Sequence, residues 1–145
     1  MCCDGTLFPV AAVTPEEATR FQGRLDLAED GKTLRLPCPA LDGCRCTTYL
    51  DRPAVCGAFS CLVLSSLAKK LITNEEAHLA IEELLERRRT LATALGLAPQ
   101  GQALELARQK ILEGTASDEV KEAFRRLKQG LLLLQLQPED SLFKG

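Results

Sequence analysis

The sequence has little of what most catalytic or nucleic-acid-binding chains display. Among 145 residues there is one histidine, His78, and no tryptophan, and the aromatic residues together make up 4%. With one imidazole there can be no His-rich metal site, and any nucleophile–histidine arrangement would rest on that residue alone. Neither a glycine-rich phosphate loop nor a nucleophile elbow is present. Neither sign of charge dominates: 18 Lys and Arg mix with 20 Asp and Glu for a net charge of −2. That balance excludes the basic patch on which nucleic-acid binding depends. No apolar run approaches the roughly 20 residues of a membrane span, so no membrane partner is expected. The first thirty residues lack a basic start followed by an apolar core, so no secretory signal is expected either. The compartment this implies is the reducing cytoplasm.

Cysteine is what the chain does have. Five of its seven cysteines fall within the 24 residues from Cys38 to Cys61, CPALDGCRCTTYLDRPAVCGAFSC, and Cys2 and Cys3 supply the others. Persistent disulfides are rare in a reducing compartment, where clustered thiols more often bind metal or do chemistry. The odd count would also leave one thiol unpaired in any all-disulfide scheme. Soft thiolates select zinc, copper(I) or iron–sulfur clusters, and four of them complete a tetrahedral zinc site or ligate one cluster. The spacing Cys38-x5-Cys44-x-Cys46-x9-Cys56-x4-Cys61 contains no tight C-x2-C knuckle. It therefore points to metal without naming which one.

The remaining elements read in order. Thr14-Pro15-Glu16-Glu17 is a helix start, with Thr14 as cap, Pro15 at the first helical position and Glu17 as capping-box partner; the helix runs to about Gln22 and stops near Gly23. Leu25 to Leu36 alternates loosely about a turn at Glu29-Asp30-Gly31-Lys32, which predicts a small β-hairpin. Pro37, Pro39, Gly43, Pro53 and Gly57 break the cysteine stretch so often that no regular element is expected before about Ala58. After that, Phe59, Leu62, Val63, Ser66, Leu67 and Leu71 recur at helical spacing. Thr73 and Glu76 form a second capping box, opening a helix that stops at Gly96. Further helices are predicted over Gln102 to Leu112, closed by Gly114, and over Ser117 to Leu134, where Val120, Phe124, Leu127, Leu131 and Leu134 share a face. The run LLLLQLQ at 131–137, ended by Pro138, is apolar all round and is expected to be bundle core or a protein contact. Glu82, Glu83 and Arg87 to Arg89 fit a solvated helix face with a Glu83–Arg87 pair, and His78 is expected at the surface.

The residues between the cysteines carry a further signal. CCDGTLF at 2–8, CPAL at 38–41 and CTTYLDRPAVCGAFSC at 46–61 resemble the YkgJ-like cysteine-cluster family, a zinc- or iron-chelating domain. Its Cys-Pro, Cys-x-x-Tyr, Arg-Pro-x-x-Cys and Phe-x-Cys elements fall on Cys38-Pro39, Cys46 with Tyr49, Arg52-Pro53 with Cys56, and Phe59 with Cys61. Residues 2–64 carry the likeness, and the helical half lies outside it. The ligands it implies are Cys2, Cys3, Cys38, Cys46, Cys56 and Cys61, with a minimal site of Cys3, Cys38, Cys46 and either Cys56 or Cys61. Three departures stand out. Two cysteines that open the family pattern have no counterpart before Cys2: either the start lies further upstream or two ligands are lost. Cys44 is additional to the usual set, and Gly57 stands where the family commonly has an arginine. Four thiolates around a divalent ion leave about −2 of charge, which makes Arg45 and Arg52 candidate counter-charges beside the bound group.

The fold expected is mainly α with an irregular cysteine-cluster lobe and a minor β-hairpin: one domain over 1–145, with the lobe at 1–64 and a helical extension at 65–145 packing on it. The function expected is metal binding, by zinc or an iron–sulfur cluster, in a non-catalytic accessory module with a protein partner engaged through the helical half. The alternatives are an iron–sulfur enzyme or accessory related to flagellin lysine methylases, which are similar to this family, and a thiol-based redox sensor.

Overall fold

A computed structural model describes residues 3–98 and 102–135 of the chain, for Gln102 and Gln135 as backbone alone. The described residues are mainly helical with a little antiparallel sheet, in the order β1 (Val10–Ala12), α1 (Pro15–Phe21), β2 (Thr33–Arg35), β3 (Leu41–Asp42), β4 (Arg45–Cys46), a 3-10 turn (Tyr49–Asp51), α2 (Ala54–Ala58), α3 (Leu62–Ala68), α4 (Asn74–Ala94), α5 (Gln102–Leu112) and α6 (Asp118–Gln135). The chain divides into two compact units, Met1–Phe59 and Ser60–Gly145. That boundary falls five residues before the one at residue 64 read from the sequence.

In the first unit, α1 begins as its sequence dictates. The Thr14 hydroxyl accepts from the Glu17 N–H while the Glu17 carboxylate accepts from the Thr14 N–H, and Pro15 occupies the first turn. The helix ends at Phe21 with Gly23 in the left-handed region at φ +73°, where a Cβ would be strained. Phe21 is fully buried and forms a small core with Val13, Leu25, Leu34 and Ala40, against which Leu36 and Cys38 also pack. The sheet departs from the sequence expectation. Leu25–Leu36 does turn back on itself, but the pairing across that turn is a single bridge, Leu27 to Leu34. The longer ladder joins β2 to β1, with Ala11 opposite Leu34. Asp30 explains the turn: its carboxylate accepts from the Lys32 and Thr33 N–H groups and from the Thr33 hydroxyl.

The cysteine stretch is also more regular than its prolines and glycines suggest. β3 and β4 form a two-residue hairpin, with Leu41 opposite Cys46 and Asp42 opposite Arg45. Gly43, at φ +58°, supplies the left-handed residue that such a tight loop requires. Pro53 then stands at the N-cap position of α2, a five-residue helix ending at Ala58. Breakers at 37, 39, 43, 53 and 57 limit these elements to one turn or two rungs without abolishing them.

The second unit follows its sequence pattern closely. Thr73 and Glu76 make a reciprocal capping box at the start of α4, and Gly96 and Gly114 take left-handed backbone after α4 and α5. Ala77, Leu84 and Leu91 of α4, Ala103 and Ala107 of α5, and Val120, Leu127, Leu131 and Leu134 of α6 are buried. These positions recur at three-, four- and seven-residue intervals, which makes one apolar stripe on each helix. α4 packs on both α5 and α6, and α3 packs on α4 and α6. At Gly130 the approach of α4 is so close that a Cβ would overlap the Leu84 side chain. The Glu83–Arg87 pair forms at 2.5 Å on the solvent side, and His78 is exposed. Of the apolar run, Leu131 and Leu134 are buried while Leu132 and Leu133 are 53% and 60% exposed; residues 136–138 lie outside the described residues. Among the described residues no helix is long and apolar enough to cross a membrane.

Glu17 does more than close its own helix. Its second carboxylate oxygen accepts from the Ala54 N–H, the first amide of α2, at 2.6 Å. The Ala54 N–H is the first cause of its lowered pKa and the Thr14 N–H the second. A depressed carboxylate stabilises the fold above the ordinary glutamate range, about pH 4.3, and that contribution is lost as pH falls through the lowered folded value. Glu17→Gln is therefore expected to cost about 1 kcal/mol at neutral pH, by ordinary capping energetics. The urea midpoints of variant and parent should converge on acidification; a gap unchanged from pH 7 to pH 3 would contradict this role.

Candidate metal centre

The first unit contains a cavity of about 530 Å³ lined by Cys3, Cys38, Cys44, Cys46 and Cys56 together with apolar side chains such as Phe8, Val10, Leu36, Leu41, Val55 and Phe59. Each thiol is positioned by a different local device. The Cys38 N–H donates to the Cys3 carbonyl at 2.7 Å, joining the N-terminal turn to the loop after β2, and the Leu41 N–H donates to the Cys38 carbonyl. Gly5 makes that approach possible: at φ +79° it lies against the Leu36–Pro37 peptide, with a Cβ position only 3.4 Å from the Leu36 carbonyl carbon. Cys46 sits in β4 opposite Leu41, and its sulfur is 3.5 Å from the Thr48 hydroxyl. Cys56 lies in the middle of α2, where its N–H donates to the Pro53 carbonyl. Phe8 and Phe59 meet edge to face at 4.8 Å, walling the cavity.

The helix α1 braces this loop from outside. Glu17 holds the start of α2, and Arg20 in the last turn of α1 and Arg24 just beyond its end both reach Asp51 in the 3-10 turn at 3.3 Å. These ion pairs are half exposed, so each is worth about 0–1 kcal/mol. Their effect is positional: they fix the segment between Cys46 and Cys56. Both arginines also lie over the Phe21 ring, at 4.5 and 5.6 Å.

The electrostatics of the thiols reflect their crowding. Burial pushes the Cys38 thiol up, against a hydrogen bond from the Ala40 N–H, and the neighbouring Cys3 and Cys46 raise it further. The Cys56 thiol is raised too, first by desolvation and then by Cys3, Cys38 and Cys46, while Arg52 lowers it. Cys56 is exposed as a residue, yet it lines the cavity, and this is the side on which its sulfur loses water. Arg52 lies with its guanidinium 4.0 Å above the Tyr49 ring. Gly57 is what leaves it room, since a Cβ there would stand 3.3 Å from the Arg52 Nε. Interaction with Tyr49, then with the Cys46 and Cys56 charges, raises the arginine's own pKa.

Four of the six cysteines implied as ligands, Cys3, Cys38, Cys46 and Cys56, are thus brought to one cavity. Cys2 lies outside the described residues. Cys61 belongs to the second unit, where it caps α3 with its sulfur 3.5 Å from the Leu64 N–H. Cys44 lines the cavity but sits exposed at the tip of the β3–β4 hairpin. Arg45 is exposed on β4. None of the described cysteines is in a disulfide. Among the described residues, no group of three or more His, Cys, Asp or Glu side chains is drawn close enough to hold a metal ion as placed. The thiols share a cavity without converging on one point. Sequence reasoning missed the aliphatic wall of Val10, Leu36, Leu41 and Val55, and the bracing by Glu17, Arg20 and Arg24.

Comparison with known protein families, with curated proteins and with solved structures found no match for this chain.

Raised thiols hold their protons in the folded protein at a pH where the unfolded chain has lost them. Stability contributed this way falls as pH rises from the ordinary thiol range, about 8.5, through the raised values. In metal-free protein, alkylation of Cys38 and Cys56 followed by peptide mass mapping is expected to inflect above that pH. Arg52→Gln is expected to move the Cys56 inflection still higher and leave that of Cys38 in place; an unmoved Cys56 would show that Arg52 does not act on it.

Proposed function

We propose that the chain is a thiolate metal-binding module of the cytoplasm, holding zinc or an iron–sulfur cluster, with Cys3, Cys38, Cys46 and Cys56 as the central ligands. One observation carries this reading: four cysteines from the N-terminal turn, the loop after β2, β4 and α2 line a single cavity, where Cys38 feels Cys3 and Cys46 and Cys56 feels Cys3, Cys38 and Cys46. A set of soft sulfur donors with no histidine or carboxylate among the described lining residues suits zinc or an iron–sulfur cluster and does not suit hard ions. Binding would deprotonate the thiols and draw the sulfurs inward, so metal affinity and folding of this unit are linked. Arg52 is placed to offset the resulting negative charge, with Arg45 more distant in role. Cys2 and Cys61 complete the set of six that the likeness to the YkgJ-like cysteine-cluster family implies. Beside the thiols, the cavity offers Thr48, Tyr49 and Arg52 as polar groups, a lining suited to binding without turnover.

Protein purified without oxygen, analysed for zinc, iron and sulfide alongside its visible spectrum, tests the reading. One colourless zinc per chain, or iron with sulfide and a brown absorption, is expected. Cys38→Ser and Cys46→Ser should lose most of the metal, and Cys44→Ser should retain it. A folded protein that carries neither metal and titrates seven free thiols would overturn the proposal.

A further inference from the structure

The cavity is larger and more apolar than a thiolate centre requires. A four-coordinate ion is enclosed by its own ligands, whereas about 530 Å³ falls within the range of small-molecule sites. Much of the wall is aliphatic or aromatic, with Phe8, Val10, Leu36, Leu41, Val55 and Phe59 contributing. Among the described residues, the single formally charged side chain in the lining is a cation, Arg52. The adjacent carboxylate, Asp51, is taken by Arg20 and Arg24, and among the described residues no carboxylate pairs with Arg52, which interacts instead with the Tyr49 side chain and the Cys46 and Cys56 thiols. The guanidinium is held in place from one face by the Tyr49 ring and is given space by Gly57. That arrangement leaves a pre-positioned planar donor beside an apolar chamber, the combination that recognises a carboxylate or sulfonate with a hydrophobic body.

We infer that this cavity binds a small apolar monoanion, an acyl or aromatic acid, with its body against the Phe8–Leu41–Val55 wall and its head group on Arg52. The site shares its cavity with the metal reading but does not depend on metal.

Calorimetric titration of the full chain with decanoate and with decanol separates the two parts of the claim, in protein both with and without added zinc. Decanoate is expected to bind at one site per chain about tenfold more tightly than decanol, the contribution of one charge-assisted interaction. Arg52→Gln should abolish that preference while decanol still binds, and Arg52→Lys should restore part of it. Val55→Asp should weaken both ligands. Equal affinity for the acid and the alcohol in the parent protein overturns the inference, as does binding of neither. If the parent retains zinc yet shows neither ligand, the inference fails and the metal centre stands; a decanoate preference without zinc retention gives the reverse. An Arg52→Gln variant that loses zinc affinity but keeps the decanoate preference would also overturn it, by assigning Arg52 to the thiolates alone.

Discussion

The carboxylate of Glu17 closes two helix N-termini at once, and the cysteine-bearing unit depends on that constraint. One oxygen accepts from Thr14, the cap of α1, and the other from Ala54, the first residue of α2. A loop rich in Pro and Gly has few ladder bonds of its own, so its backbone must be held from outside. Glu17 holds its far end, and Asp51, taken by Arg20 and Arg24, holds its middle. Magnitudes decide which contact anchors α1 itself. A surface ion pair contributes about 0–1 kcal/mol, whereas full burial of a phenylalanine contributes about 1.5–3 kcal/mol, and Phe21 is completely buried. The apolar anchor fixes α1, and the polar contacts transmit that rigidity to the thiols.

Thiols crowded into an apolar cavity resist ionisation, since desolvation and mutual repulsion act in the same direction at Cys38 and Cys56. A soft cation removes both penalties by bonding to the thiolates directly. Arg52 is the protein's own partial remedy at Cys56, and it passes close to Gly57, where a Cβ would stand 3.3 Å from its Nε.

What was legible in the sequence was chiefly what is local. The capping boxes at Thr14–Glu17 and Thr73–Glu76, the glycine stops at 23, 96 and 114, and the stripe of Val120, Leu127, Leu131 and Leu134 all depend on neighbours within a turn or two, and all are present. The partner of β2 was not legible, because pairing Val10–Ala12 with Thr33–Arg35 spans more than twenty residues and three-residue strands leave little alternation to read. The short elements around the cysteines were hidden for a different reason. Gly43 and Pro53 read as breakers, yet one makes the β3–β4 turn and the other leads directly into α2. At the site, the cysteine spacing marked the thiols, but nothing in it revealed that Leu36, Leu41 and Val55 would line the same cavity.

The most direct measurement on the central claim is X-ray absorption at the zinc or iron edge of protein purified without oxygen. The thiolate centre requires a coordination shell of sulfur alone, at about 2.3 Å for zinc, that loses a sulfur in Cys46→Ser and keeps all of them in Cys44→Ser. A shell containing nitrogen or oxygen, unchanged by substitution at Cys38 or Cys46, would place the metal elsewhere and contradict the assignment of these cysteines.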